Sequence, residues 1–329
     1  MVKKPCVFDG KAVPVFLKDF DEEAGPYTMS FGFDLQPLCE SIEEIGLINA
    51  PCIARNDKGR MEIITGYRRI MALKQLGWRK ATCEDLSSVL ESPLKRLLYS
   101  FHENRATRPL NPVEKAMALS RLARLIDTQE ILKRYMPLLS LPSHEETLRM
   151  YLRLAESERA FKQAVADGRI SVKTASALMA TESQAAGCLL EPILDLNLNF
   201  NQQLQLIDIV IDIANIEKKH TSQILKSENI REILENRHLN KPQKALKVFK
   251  ELHSKRNPRQ SEAEKRFQSR VGRLALPKGM RIDHPAYFEA PGYRLEVTFR
   301  NGTELLEKLS FLLSMPGIQG FGDPLYDQD

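Results

Sequence analysis

TGYRRIMALKQLGWRKA, residues 65–81, decides how this chain is read. Ile70, Leu73 and Leu76 recur at helical spacing, so a helix is expected to begin at Gly66 and to close at Gly77. A helix N-terminus carries about half a positive charge and several free N–H groups, so it attracts anions. Gly66 lets the backbone come close to a bound group. Arg68 and Arg69 add fork-shaped donors suited to phosphate oxygens. The same two arginines would also suit a solvated helix surface, and the pair alone does not choose between these readings.

The flanking residues complete a small unit. LQPLCESIEEI (Leu35–Ile45) places Leu38, Ile42 and Ile45 at helical spacing, and Gly46 follows as a C-terminal stop. APCIAR (residues 50–55) reads as a strand, NDKG as a hairpin turn, RMEIIT (residues 60–65) as the returning strand and KATCEDL (residues 80–86) as a third. Residues 35–85 therefore run helix, strand, strand, helix, strand. Residues 1–30 read as irregular. Two further stretches carry polar chemistry. GLINAP (Gly46–Pro51) is a backbone loop able to hold a base or a sugar. HENRATRPLNP (His102–Pro112) offers Glu103 and Asn104, suited to a hydrated Mg2+ and to phosphate oxygens, followed by Arg105, Thr107 and Arg108.

From Asn111 the pattern becomes helical. NPVEKAMALSRLARLI opens with an Asn cap, Pro at the first helical position and an acid in the first turn. Helical patterns continue to residue 235, broken at Pro137, Pro142, Gly168 and Asn197–Asn199. Between Asn236 and Arg273 stand twelve Lys or Arg against three Asp or Glu, in a chain whose net charge is only +5. Concentrated basic charge of this kind is expected of a nucleic-acid-facing arm, and also of a solvated linker helix. Helix is expected there between Pro242 and Asn257. Phe249 and Phe267 are its few aromatics, which does not favour stacking on single strands. Beyond Leu274, GMRID, AYFEA and YRLEVTF alternate like strands, NG is a turn, and TELLEKLSFLLS is a capped amphipathic helix.

Composition excludes several classes. No run of roughly 18 apolar residues occurs, so no membrane span is expected. The N-terminus lacks a signal-peptide pattern. Cys6, Cys39, Cys52, Cys83 and Cys188 are scattered without a CxxC pair, which points to a reduced cytoplasm and away from zinc.

Three stretches, in order, resemble the ParB group of partition proteins, in the ParB/sulfiredoxin fold. LCESIEEIGLINAPCIAR is similar to that family's LAxSIxxxGLxQPIxV. EIITGYRRIMALKQLGWRKATC is similar to YxIIAGERRxRAAxxAGxxxVPV. ENRATRPLNPVEKAMAL is similar to ENLQRxDLNPxEEAxAY. The match covers roughly residues 30–185. It implies CTP and Mg2+ at this site, with nucleotide closing a clamp around double-stranded DNA. Gly46, Leu47, Ile48 and Asn49 match the loop around the cytosine. Gly66, Arg68 and Arg69 match the residues at the triphosphate. Glu103 and Asn104 match the pair tied to metal and hydrolysis, with Arg105, Thr107 and Arg108 beside them. Two positions depart from the pattern. Tyr67 stands where the family has Glu, and Thr107 where it has Arg. Sulfiredoxins carry a reactive Cys and a His where this chain has Tyr67 and Arg68, so thiol chemistry is discarded.

ETLRMYLRL (Glu146–Leu154) resembles the family's recognition helix, and DGRISVKTASALM the helix after it. The implied DNA contacts are Thr147, Arg149, Arg153, Lys173 and Thr174, although Glu145 and Glu146 near the helix start would repel phosphate. YMPLLSLPSH, with two prolines, replaces the usual short Gly-containing turn.

The expected fold class is α+β multidomain. A ParB/sulfiredoxin-like α/β domain (residues 1–110) precedes an all-helical helix-turn-helix domain (111–235), a basic connector (236–273) and a small C-terminal α+β dimerisation module (274–329). The expected function is a cytoplasmic, nucleoid-associated DNA-binding protein for chromosome or plasmid partition, homodimeric, with a possible ParA-type ATPase as partner. Hydrolysis of CTP would be slow at most. A nuclease or other nucleotide-using enzyme of this fold is the alternative, together with a regulator or interaction module that has lost hydrolysis. A two-metal nuclease would want several convergent carboxylates, and only Glu103 stands out.

Overall fold

The computed structural model describes residues 10–285 and 292–316 together with 318, 321 and 322, with the backbone alone at Ser183 and Gln184. It is α+β, and divides into two compact units between Leu204 and Gln205.

The first unit opens on a four-stranded mixed sheet of order β1-β4-β2-β3. Its strands are β1 (Lys11–Phe16), β2 (Cys52–Arg55), β3 (Met61–Thr65) and β4 (Lys80–Asp85), with α1 (Gln36–Ile45) and α2 (Tyr67–Gln75) between them in sequence. β2 and β3 form the expected hairpin. α2 is a crossover that returns β4 alongside β2 in parallel. Ile42, Ile53, Ile70, Leu73 and Cys83 bury together in the core that joins sheet and helices. β1 corrects the reading of residues 1–30 as irregular. KAVPVF pairs with β4 from Lys11↔Asp85 to Phe16↔Lys80 at the sheet edge, where Pro14 costs no ladder hydrogen bond.

α3 (Pro93–Thr107) packs against β3 and α4 (Pro112–Leu122). Arg96 anchors it, donating to the carbonyls of Leu90 and Arg55, each at 2.8 Å, and lying 3.6 Å from Glu62. α4 starts with a reciprocal cap. The Asn111 side chain accepts from the Glu114 N–H, and the Glu114 carboxylate accepts from the Asn111 N–H.

Pro137 does not break the helical run where expected. Thr128–Glu130 (α5) leads through a π turn at Ile131–Tyr135 into Met136–Leu138 (α6). The wider turn hydrogen-bonds Met136 N–H to Ile131 O, five residues back, so the ring of Pro137 is accommodated. The chain then stops at Ser140, whose φ is 55°. Leu141 N–H bonds Met136 O and Ser140 N–H bonds Pro137 O, so serine holds the left-handed position that glycine usually takes. α7 (Glu145–Glu156), α8 (Arg159–Ala166), α9 (Val172–Met179) and α10 (Ser183–Asp195) follow, with α7 packed against α4 and α9.

The unit boundary lies inside α11 (Phe200–Glu217). The second unit continues with α12 (Thr221–Leu225), α13 (Glu228–Glu235), α14 (Lys241–Arg256) and α15 (Pro258–Arg273). The basic stretch is thus two helices. Asn257 ends the first, and Pro258 starts the second. α14 buries an apolar stripe of Ala245, Val248, Phe249 and Leu252, whereas α15, among the described residues, buries Phe267 alone. On α15, Phe267 stacks on Tyr293 at 5.6 Å in a cluster with Leu274, Ile282 and Met315. β5 (Met280–Asp283) and β6 (Arg294–Val297) pair antiparallel, and α16 (Gly302–Ser314) is capped by Asn301. The NG expected as a turn is therefore a helix start. The expected strand AYFEA lies outside the described residues.

Candidate functional site

The three stretches singled out in the sequence meet at the first turn of α2. Gly66 caps that helix at φ 85°, and a Cβ placed there would lie 2.9 Å from Pro51 Cα. The glycine therefore lets α2 start directly against the loop that ends at Pro51. Arg69 uses this closeness. Its Nη1 donates to Asn49 O at 2.8 Å and to Ala50 O at 3.1 Å, and its Nη2 lies 3.6 Å from Glu103 Oε1 on α3. One guanidinium thus ties the Gly46–Asn49 loop to the Glu103–Asn104 pair. In the loop, Gly46 has φ 80° and ends α1, Leu47 packs on the core, and Ile48 is 71% exposed.

Arg68 goes elsewhere. Its Nη2 donates to Glu114 Oε1 at 2.7 Å, its Nε reaches Ser30 Oγ at 3.4 Å, and its guanidinium lies over the Phe33 ring. Glu114 Oε2 accepts from Arg108 Nη1 at 2.6 Å. The Arg108 Nη2 also reaches Met29 O at 2.7 Å and Asn104 Oδ1 at 3.4 Å. Two arginines therefore share one carboxylate whose side chain is 1% exposed. Burial, with Arg108 beside it, pulls the Arg68 guanidinium below its usual range, while Glu114 works to hold it up.

The departure at Thr107 now has a physical account. α3 ends there, and the Thr107 hydroxyl folds back onto the carbonyls of Glu103 and Asn104. The next residue is extended, at φ −161°, which swings Arg108 back toward Asn104. Arg108, and not position 107, brings a guanidinium to the constellation. Arg105 turns away to Leu138 O at 3.0 Å. At the other departure, the Tyr67 hydroxyl donates to Glu22 O and its ring meets Phe33 edge-on. Burial, then Glu22 and Glu23, raises its pKa.

Sequence reasoning missed Glu114, Ser30 and Phe33. Glu114 was visible only as a cap acid. Its second use depends on Arg68 and Arg108 arriving from distant segments.

Among the residues expected at DNA, Arg149, Arg153 and Lys173 are exposed, and Thr147 is half-buried. Thr174 is buried and pairs its hydroxyl with Ser171 at 2.8 Å at the start of α9. The α9 cap takes only its backbone N–H, which donates to Ser171 Oγ at 2.9 Å, and the side chain is fully buried. α8 lies between the two helices read from the sequence.

No protein-family model matches the chain. It is 30% identical over 177 residues to the nucleoid occlusion protein of Geobacillus thermodenitrificans (strain NG80-2), covering 52% of this chain and 59% of that protein. It is 28% identical over 188 residues to the nucleoid occlusion protein of Halalkalibacterium halodurans, covering 56% and 62%. These relatives belong to the ParB family. The chain is ParB-like. The ParB-like chain spans about three fifths of the length of these curated relatives. A crystal structure of the C-terminally truncated chromosome-partitioning protein ParB from Caulobacter crescentus complexed with CTP-gamma-S is also similar. It is 18% identical, covers 54% of this chain and 98% of that one, and has a TM-score of 0.27, too loose to carry an argument. No described helix of the ParB-like chain is long and apolar enough to cross a membrane.

Proposed function

We propose that this chain is a DNA-binding protein switched by CTP and Mg2+ at the constellation around Arg69. The observation that carries the reading is Arg69 itself, which joins the loop carbonyls of Asn49 and Ala50 to Glu103. The donor set fits the ligands. Mg2+ takes oxygen ligands and is commonly held by one or two carboxylates plus substrate phosphates. Glu103 and the Asn104 carbonyl oxygen would serve it, and the cation when bound would neutralise phosphate charge. Arg69, the free N–H groups at Gly66 and the Arg68–Arg108 pair would hold the phosphate side, and Gly46–Asn49 the base. Glu103, half-buried against Arg69, does not supply the several convergent carboxylates that the nuclease alternative would want. DNA would meet Arg149, Arg153 and Lys173, with α14 and α15 adding contacts to phosphate that weaken steeply with salt. Partition of a chromosome or plasmid, with a ParA-type partner, is the role the family resemblance supports.

Titration with CTP and Mg2+, with and without DNA, is the test. Binding is expected in the micromolar range. Arg69→Ala is expected to weaken it by about 10- to 100-fold, the loss of one charge-assisted donor group. A chain that binds neither CTP nor any other nucleotide sinks the proposal.

The second unit supports a homodimer. Leu306, Leu309 and Leu313 line one side of α16 at 66%, 40% and 89% exposure, and Leu295 and Phe299 are exposed nearby. The two-stranded sheet β5–β6 is marginal by itself and gains from pairing with a second copy. Light scattering is expected to show a dimer for the parent chain and a monomer for Leu306→Glu/Leu313→Glu. A double variant that stays dimeric removes this face from the interface.

A further inference from the structure

Two turns along α4 from Glu114, the first unit contains another cation-lined space. A cavity of about 360 Å³ is lined by Arg121, Arg124 and Lys162, with Pro26, Phe31 and Met117 among its apolar walls. Helical spacing puts Glu114, Met117 and Arg121 along one side of α4, and Arg124 follows in the turn just past its end. Glu114 and Arg121 are about 10.5 Å apart along its axis. Lys162 comes from α8.

These cations lack counter-charge. Among the described residues, no carboxylate forms an ion pair with Arg121, Arg124 or Lys162. Arg121 has five N–H donors, yet its one side-chain hydrogen bond among those residues goes from Nη2 to Gly25 O at 3.0 Å. Among those residues, Lys162 Nζ reaches only Ala155 O, at 3.5 Å. Burial, then Arg124, brings the Arg121 pKa down to about 10, which still leaves it protonated at neutral pH. Arg121 and Lys162 are half-buried with only neutral carbonyls as acceptors, and Arg124 is exposed beside them, so an anion in this space would be favoured by all three charges. Guanidinium forks match phosphate geometry, and Phe31, Met117 and Pro26 would seat an apolar or planar body.

We propose that this cavity is a second anion site, separate from the Arg69 constellation, which takes a phosphate group carried on a planar or apolar body. The phosphate could be supplied by a free phosphorylated small molecule or by a nucleotide of the DNA backbone, and the test separates these sources.

The full chain is titrated at low salt with adenosine 5′-monophosphate and with inorganic pyrophosphate. Saturable binding is expected for at least one of them. It is expected to weaken at least about tenfold in Arg124→Ala/Lys162→Ala, which spares Arg121 and its bond to Gly25, and to persist in Arg69→Ala. A short duplex of arbitrary sequence is then added. Displacement of the bound probe assigns the site to backbone phosphate, and continued binding assigns it to a small molecule. The proposal is overturned if neither probe saturates. It is equally overturned if the double variant binds like the parent, or if Arg69→Ala alone abolishes binding. Failure of CTP to bind leaves it standing, so the two readings fail separately.

Discussion

Glu114→Ala is expected to destabilise the first unit by about 3–5 kcal/mol, the range for removing one partner of a buried charge pair. Its carboxylate accepts from Arg68, Arg108, the Phe31 N–H and the Asn111 N–H. Removal leaves two guanidinium groups facing each other and undoes the reciprocal cap of α4. At about 2–4 °C per kcal/mol for a unit of this size, the melting temperature should fall by about 6–20 °C. Glu114→Gln is expected to be nearly as costly, because its amide presents N–H to a guanidinium that needs an acceptor. Denaturant unfolding of both variants reads the effect, and a loss under about 1 kcal/mol would show that the arginines find other partners. The same arrangement bears on function. Glu114 occupies the donors that a bound phosphate would use, so CTP is expected to raise the melting temperature of Glu114→Gln more than that of the parent.

Gly66→Ala is the second large effect. At φ 85° an L side chain is strained, and its Cβ would meet Pro51 Cα and Cβ at 2.9 Å and Arg69 Nε at 3.1 Å. Backbone strain costs about 1–3 kcal/mol and overpacking about as much again, so about 2–6 kcal/mol is expected. Relief would have to come from moving the loop at Pro51, which also shifts the carbonyls held by Arg69. Nucleotide affinity should fall with stability. Gly77→Ala is the control, a helix-end glycine with a comparable φ of 76° but nothing within 4 Å of the added carbon. It should cost only the conformational part, about 1–2 kcal/mol. Equal losses in the two variants, by urea unfolding, would refute a role for the close approach at Pro51.

Much of the first unit is legible because its signals are local. Ile42 and Ile45, Ile70 and Leu73, and the stops at Gly46 and Gly77 mark α1 and α2 without knowledge of their neighbours. The cap Asn111-Pro112-Val113-Glu114 marks α4 in the same way. β1 escapes because only pairing with β4 makes Lys11–Phe16 a strand. Ser140 escapes because a serine signals no left-handed turn until Met136 and Pro137 receive their hydrogen bonds. Phe267 reads as a sparse aromatic on a basic segment, yet it stacks on Tyr293, twenty-six residues on.

The sequence by itself determined the order of helix and strand from Leu35 to Asp85, the start of the helical region at Asn111, and where side chains of a type suited to phosphate stand. These follow from periodicity, caps and side-chain type, which act over a few residues. Only the tertiary structure decided how the arginines are used. Arg69 joins the loop to Glu103, Arg68 and Arg108 share Glu114, and Arg105 turns to Leu138. A guanidinium is long enough to reach several acceptors. Which one it takes depends on which distant segment brings an oxygen within about 3 Å and buries it.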